Sequence, residues 1–297
     1  MLLKKIMAIL IRVLVTLNFL LIFSFSFDLY AKKAAIVVDF DTKEVLFEIN
    51  ADTRNYPASL TKMMTLYILF DQLKIGRLKK NSLLKVSEIA ASRSPSKLYL
   101  EVGSSIKIED AILALIIKSA NDVATVVAEN ISGTEREFAK LMTQYARNMG
   151  MSNTTFKNAS GLPNRAQLTT ARDMATLSYF LIKNFPEEYK LFSLQKFNYS
   201  GKTYRTHNKL MLSYNGADGI KTGYIKDSGF QLAFSAIREN KRLIGIIFGG
   251  DSGSKRDKSL TIIMDKEFAE LGINNTEVKT KIVKKETKTT NTNSYSI

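Results

Sequence analysis

The stretch DGIKTGYIKDSGFQLAFSAIRENKRLIGIIFGG, residues 218–250, decides the fold. It is a series of runs rich in β-branched and aromatic residues, parted by polar turn-forming residues, which reads as antiparallel strands. KFNYSG (196–201) and KTYRTHN (202–208) precede it with the same character. Far upstream, KKAAIVVDFDTKEVLFEIN (32–50) reads as a hairpin turning at DFDTKE.

Between these ends the apolar period is helical. ASLTKMMTLYILFDQL (58–73) forms an apolar helix opening near Ser59. IEDAILALIIK (108–118), NDVATVVAENI (121–131), EREFAKLMTQYARNMG (135–150) and ARDMATLSYFLIKN (171–184) follow, each bounded by Gly, Asn, Ser or Thr. A last helix is expected over 254–271. Strands, a helical block, then strands imply an α+β fold: one antiparallel sheet completed by both ends and flanked by helices, with an all-helical lobe inserted at about 80–190. A cleft between sheet and lobe is the natural site.

The chain opens with Lys4, Lys5 and Arg12, then a mostly apolar run from Val13 to Phe27 and small Ala31, the pattern of a signal peptide over 1–31. An uncleaved anchor over Ile6–Phe27 is the alternative, although the apolar segment falls short of the ~20 residues a spanning helix needs. Residues 273–297 are rich in Lys, Thr and Asn, and a disordered basic tail is expected. A catalytic unit over 32–272 lies between them.

No cysteine is present, which excludes thiol nucleophiles and thiolate metal sites. A single histidine, His207, excludes metal centres built on paired histidines, and there is no Gly-rich phosphate loop. Neither cofactor, metal nor nucleic acid is expected. The net charge of +15, or +13 without residues 1–31, draws the chain to anionic polymers or membrane surfaces but selects no partner.

Ser-x-x-Lys occurs six times, from Ser59, Ser82, Ser94, Ser104, Ser193 and Ser252, so the pattern alone carries little. Only the copy in PASLTKMMT (57–65) opens a long apolar helix, where serine and lysine three apart share one face. Ser59 there is a nucleophile with Lys62 as its base, or simply a helix cap. A hydroxyl needs a base, and a lysine serves if burial or a nearby cation keeps it neutral. KSAND (118–122) places Ser119 and Asn121 at a junction of two helices, where they face a cleft or cap a helix. KTG (221–223) follows NGADGI, so Lys221 sits on a strand just after a turn, as a fixed cation that also helps keep Lys62 neutral. Gly223 would let a substrate backbone lie along the strand edge. Ser213 and Asn215 repeat Ser-x-Asn, but in a turn rather than between helices.

The ordered set of Ser59/Lys62, Ser119/Asn121 and Lys221/Thr222/Gly223 resembles the S-x-x-K, S-x-N, K-T-G signature of penicillin-binding proteins and class A β-lactamases. Together with NASGLPN, TTARDMATL, HNKLM and DGIKTGYIKDSGFQLAFSA, it is similar to the low-molecular-mass D-alanyl-D-alanine carboxypeptidases over about residues 33–271. The resemblance implies a β-lactamase/transpeptidase-like fold and acyl transfer on peptidoglycan stem peptides ending in D-Ala-D-Ala. It casts Ser59 as nucleophile, Lys62 as base and Ser119 as proton relay. Lys221 and Thr222 would hold the substrate carboxylate, Asn121 its peptide amide, and the backbone amides of Ser59 and Tyr224 the oxyanion. It also implies β-lactams as covalent inhibitors and a periplasmic setting.

A class A β-lactamase would need a glutamate after the second motif, yet no acidic residue lies between Glu137 and Asp173. A D,D-endopeptidase would use the same residues, and a non-catalytic wall-binding protein would keep only the scaffold. Many relatives continue into a β-rich domain and an amphipathic membrane helix, whereas about 25 basic, polar residues follow position 271 here. The expectation is therefore a soluble periplasmic protein, an uncleaved N-terminal anchor, or weak electrostatic attachment. His207 is expected at the cleft, as a structural or substrate-edge residue in preference to an acid-base one.

Overall fold

The computed structural model describes residues 32–273. The expected signal segment, its alternative as an anchor, and the tail from 274 onward lie outside the described residues. Strands β1 (Ala34–Asp39) and β2 (Val45–Ile49) form the N-terminal hairpin, with a register shift between Val37 and Val38. A 3-10 turn, Ala58–Thr61, leads into helix α1 (Lys62–Lys74). The lobe continues through β3 (Leu83–Lys85), α2 (Glu88–Ala91), β4 (Ser105–Lys107), α3 (Ile108–Leu113), α4 (Asn121–Ser132), α5 (Glu135–Asn148), α6 (Ala171–Asn184) and α7 (Pro186–Tyr189). Then come β5 (Lys196–Tyr199), β6 (Lys202–Arg205), β7 (Ala217–Ile225), β8 (Gly229–Arg238), β9 (Lys241–Gly250) and α8 (Gly253–Glu270).

The central sheet runs β2-β1-β9-β8-β7 and is antiparallel throughout, so the first strand of the hairpin pairs with the last strand of the chain. Both faces are covered. Ala34 and Ile36 of β1, with Ile244, Ile246 and Phe248 of β9, enter the large core under the helical lobe. Residues that alternate with or flank them, Ala35, Val37, Leu243 and Ile247, join Leu260, Met264 and Phe268 of α8 in a second core. Side chains alternate across a strand, so burial on both sides demands an unbroken apolar run, which is what LIGIIF (243–248) supplies. Each such side chain contributes about 1.5–3 kcal/mol when fully buried.

Helix α1 is the axle of the lobe. Met63, Met64, Leu66, Ile68, Leu69 and Phe70 are all buried, and a helix apolar all round must lie inside other helices. Lys62, at its first position, is fully buried as well. Helices α5 and α6 start on threonine caps, Thr134 accepting from Glu137 N and Thr170 from Asp173 N. The turn before α1 has no side-chain cap, so Ser59 does not serve as one.

Two features depart from the sequence reading. Strands β5 and β6 pair only with each other, so two of the five β-rich runs after residue 195 stand apart from the sheet. Phe197 explains this: it joins the helical-lobe core, its ring stacked 5.4 Å from Tyr204. Within 75–107, where no strand was expected, β3 and β4 make a second small hairpin of three residues a side. Among the described residues no helix is long and apolar enough to cross a membrane.

Candidate active site

Ser59 lies on a strained turn. Ala58 has φ +45°, a left-handed conformation that disfavours any side chain. The loop of NASG (158–161) presses on this turn from outside. Gly161 has φ +86°, and a Cβ there would lie 1.7 Å from the Ala58 carbonyl oxygen, so only glycine fits. The loop is self-braced: Asn158 Oδ1 accepts from the amides of Ser160 (3.2 Å) and Gly161 (2.7 Å), while Gln167 Oε1 accepts from Lys157 N at 2.9 Å.

At the first position of α1, Lys62 Nζ lies 3.1 Å from Ser59 Oγ, 2.7 Å from Asn121 Oδ1 and 2.6 Å from the Ser160 carbonyl. The Asn121 amide orientation follows from its other end, since Nδ2 donates to the Ser94 carbonyl at 2.9 Å. Burial pushes the Lys62 amine well below the usual lysine range, and the Lys221 cation adds to this while Asp122 and Glu135 oppose it. A neutral amine has two N–H groups and one lone pair. In that form the Asn121 and Ser160 oxygens, which have no hydrogen to give, would take both N–H groups and leave the lone pair to the Ser59 hydroxyl.

Ser119 and Asn121 stand where α3, ending in a π turn over Ala114–Lys118, meets α4. Ser119 breaks the helix in the left-handed region (φ 58°, ψ 41°). Its Oγ is buried with no hydrogen-bond partner among the described residues. The junction is stitched to residues 94–100: Asn121 N donates to Ser96 O (2.7 Å) and Ser96 Oγ to Lys118 O (2.8 Å). The buried Asp122 carboxylate accepts from the amides of Leu98 (3.0 Å) and Tyr99 (2.9 Å).

The KTG stretch lies on β7, the outer strand of the sheet on this side. Lys221 is buried, Nζ donates to Thr222 O at 3.1 Å, and desolvation lowers its pKa to about 7. Gly223 lines the cleft, and a Cβ there would lie 3.0 Å from Gln231 Oε1 and 3.4 Å from Ala58 Cβ, so a side chain would be tight where the strand abuts the Ser59 turn. The Tyr224 ring points outward and lies 4.3 Å from that of Phe230.

These elements enclose a cleft of about 980 Å³, lined by Ser59, Ser119, Asn121, Thr222, Gly223 and Tyr224, with Lys62 and Lys221 buried among them. All eight residues singled out in the sequence are thus gathered in one place. His207 lies on the cleft wall, its outer edge exposed. Desolvation of its inner side, with the neighbouring lysines Lys221 and Lys118, lowers its pKa to about 4. Ala58 and the Ser160 carbonyl escaped the sequence reading, because a backbone angle and a backbone acceptor have no residue signature. Among the described residues no cluster of His, Asp or Glu has the makings of a metal site.

A family model described as D-alanyl-D-alanine carboxypeptidase, peptidase S11, matches residues 24–252. The chain belongs to this family. It is 33% identical over 249 residues to the D-alanyl-D-alanine carboxypeptidase DacF of Bacillus subtilis, covering 80% of this chain and 62% of that one. It therefore spans less than two thirds of that curated relative. Penicillin-binding protein 5 from Haemophilus influenzae superposes with a TM-score of 0.78 at 31% identity, covering 81% of this chain and 71% of that chain. Penicillin-binding protein D2 from Listeria monocytogenes, in its cefotaxime-bound form, superposes with a TM-score of 0.73 at 30% identity, covering 81% and 97%. The fold is that of these proteins, a mixed helical and antiparallel architecture of the β-lactamase/transpeptidase type.

Proposed function

We propose that the chain is a serine D-alanyl-D-alanine carboxypeptidase, exported to the periplasm, that removes the terminal D-alanine from peptidoglycan stem pentapeptides. The observation that carries this is the buried Lys62 amine, aimed at Ser59 by two acceptors that can only receive. Ser59 Oγ attacks the penultimate D-alanine carbonyl, and its proton passes to Lys62 Nζ. The oxyanion lies between the backbone amides of Ser59 and Tyr224, an arrangement in which one donor is typically worth roughly 3–4 kcal/mol. As the C–N bond breaks, the unpartnered Ser119 hydroxyl relays a proton to the departing amine. Lys221 and Thr222 hold the terminal carboxylate, and Asn121 binds the peptide amide with the lone pair and N–H that its protein contacts leave over. Water then cleaves the ester, with Lys62 taking its proton.

A β-lactam enters the same path, but its leaving nitrogen stays tethered to the acyl group. No acidic residue lies between Glu137 and Asp173, and the Asp173 carboxylate accepts from Thr154 Oγ1 at 2.6 Å and from the Asn153 amide at 3.0 Å. The penicilloyl ester should therefore persist. The test is incubation with a defined pentapeptide muropeptide: D-alanine release that penicillin blocks and Ser59→Ala abolishes supports the reading. Loss of cross-links without free D-alanine would replace it with endopeptidase action, and neither product would overturn it.

A further inference from the structure

Behind the loop that presents the Ser160 carbonyl to Lys62 lies an ion pair with no place in the scheme above. Glu135, the first residue of α5, pairs with Arg93, from the segment after α2, and both are mostly buried. Glu135 Oε1 also accepts from Thr125 Oγ1 of α4 (3.2 Å) and from the Ala159 amide (3.0 Å), while Arg93 Nε donates to the same threonine (3.0 Å). Ala159 is held from its other side by Thr65 Oγ1 of α1, which donates to its carbonyl at 2.7 Å. The next carbonyl is Ser160's, the acceptor of Lys62, and the next residue is Gly161, seated on the Ser59 turn.

Resting on the function proposed above, we propose that Arg93 and Glu135 are positioning residues. By clamping the Ala159 amide they fix the Ser160 carbonyl, which keeps the Lys62 lone pair on Ser59. The alternative explanation is that Glu135 only favours the start of α5, where a carboxylate helps the helix dipole. That role needs neither Arg93 nor a bond to a loop 24 residues on.

The charges give the clamp a signature beyond stability. Lys62 is faced by Lys221 from β7, Asp122 from α4 and Glu135 from α5, with His207 on the cleft wall also within electrostatic reach. Glu135→Gln keeps an acceptor for Ala159 but removes a negative charge, so Lys62 should lose its proton at lower pH. Arg93→Ala keeps the acceptor but leaves the Glu135 charge uncompensated, so Lys62 should hold its proton to higher pH. The acid limb of the acylation profile should move down in the first variant and up in the second.

The experiment is acylation of the full chain by a fluorescent penicillin, followed across pH and penicillin concentration for wild type, Glu135→Ala, Glu135→Gln and Arg93→Ala, with the melting temperature of each. The expected result is a plateau rate about tenfold or more lower in Glu135→Ala with initial binding unchanged within about twofold, and recovery to within about threefold of wild type in Glu135→Gln. Wild-type plateau rates and unmoved acid limbs in all variants, with only lower melting temperatures, would overturn the inference. If Glu135→Ala does not fold, the opposed shifts of the other two decide it. A wild-type chain that takes no label would count against the proposed function; a labelled wild type with unmoved variants counts against the clamp alone.

Discussion

The sheet's core under α8 and the cleft on the sheet's flank are built on opposite terms. In the first, Leu232, Phe234, Leu243 and Phe268 are fully buried, and Leu232, Phe234 and Ala236 alternate along β8. In the second, Ala58 and Ser119 take left-handed angles, Lys62 and Lys221 are buried, and the Ser119 hydroxyl has no partner among the described residues. The rule-keeping region stores stability and the rule-breaking region spends part of it on readiness for chemistry. Each region should therefore fail in its own way.

The largest expected effect is at the centre of the cleft. Lys62→Ala should lower penicillin acylation by about 10²–10⁴-fold, the range for losing a general base, and lower the melting temperature as well, because Asn121 Oδ1 and the Ser160 carbonyl lose their donor. A labelling rate within tenfold of wild type would show that another group takes the Ser59 proton. Gly161→Ala should follow, since its methyl group cannot coexist with the Ala58 carbonyl. A displacement of about 1 Å at the nucleophile would cost about 10²-fold in acylation.

In the other region Phe268→Ala should lower unfolding stability by about 3–5 kcal/mol in urea titration while leaving acylation per folded molecule unchanged. A change in acylation there would mean that the two regions are coupled. The smallest effect is on pH. Lys221 loses its proton around pH 7, so the KM of a peptide with a free terminal carboxylate should rise above pH 7, by about tenfold per pH unit at most. Protonation of Lys62 instead lowers acylation on the acid side. A KM flat from pH 6 to 9 would remove Lys221 from carboxylate binding.

The same division explains what could be read from the sequence. The hairpin of β1 with β2, the runs of β7 to β9 and the five long helices carry their periods locally, and the three motifs carry their chemistry in residue type. Strands β3 and β4, three residues each, are too short to show a period. Lys196–Arg205 has strand composition, but only tertiary packing of Phe197 decides that it leaves the sheet. Ser59 read equally well as a cap or a nucleophile, and a backbone angle at its neighbour, pressed by a loop a hundred residues away, removes the cap. Glu135 looked like an ordinary helix start, because its bond to Ala159 exists only once the lobe is folded.

The pairing of β1 with β9 has a consequence in time. Ala34 finds its sheet partner at Phe248, at the far end of the described residues, so the sheet cannot close until β9 has been made. Contacts that distant in sequence form slowly. If the chain is exported as proposed above, it would gain from its own topology a delay that keeps it unfolded for threading through a membrane. Nascent chains stopped before Leu243 should accordingly leave Ala34–Ile49 open to protease, and protection there would show that the hairpin folds ahead of its partner.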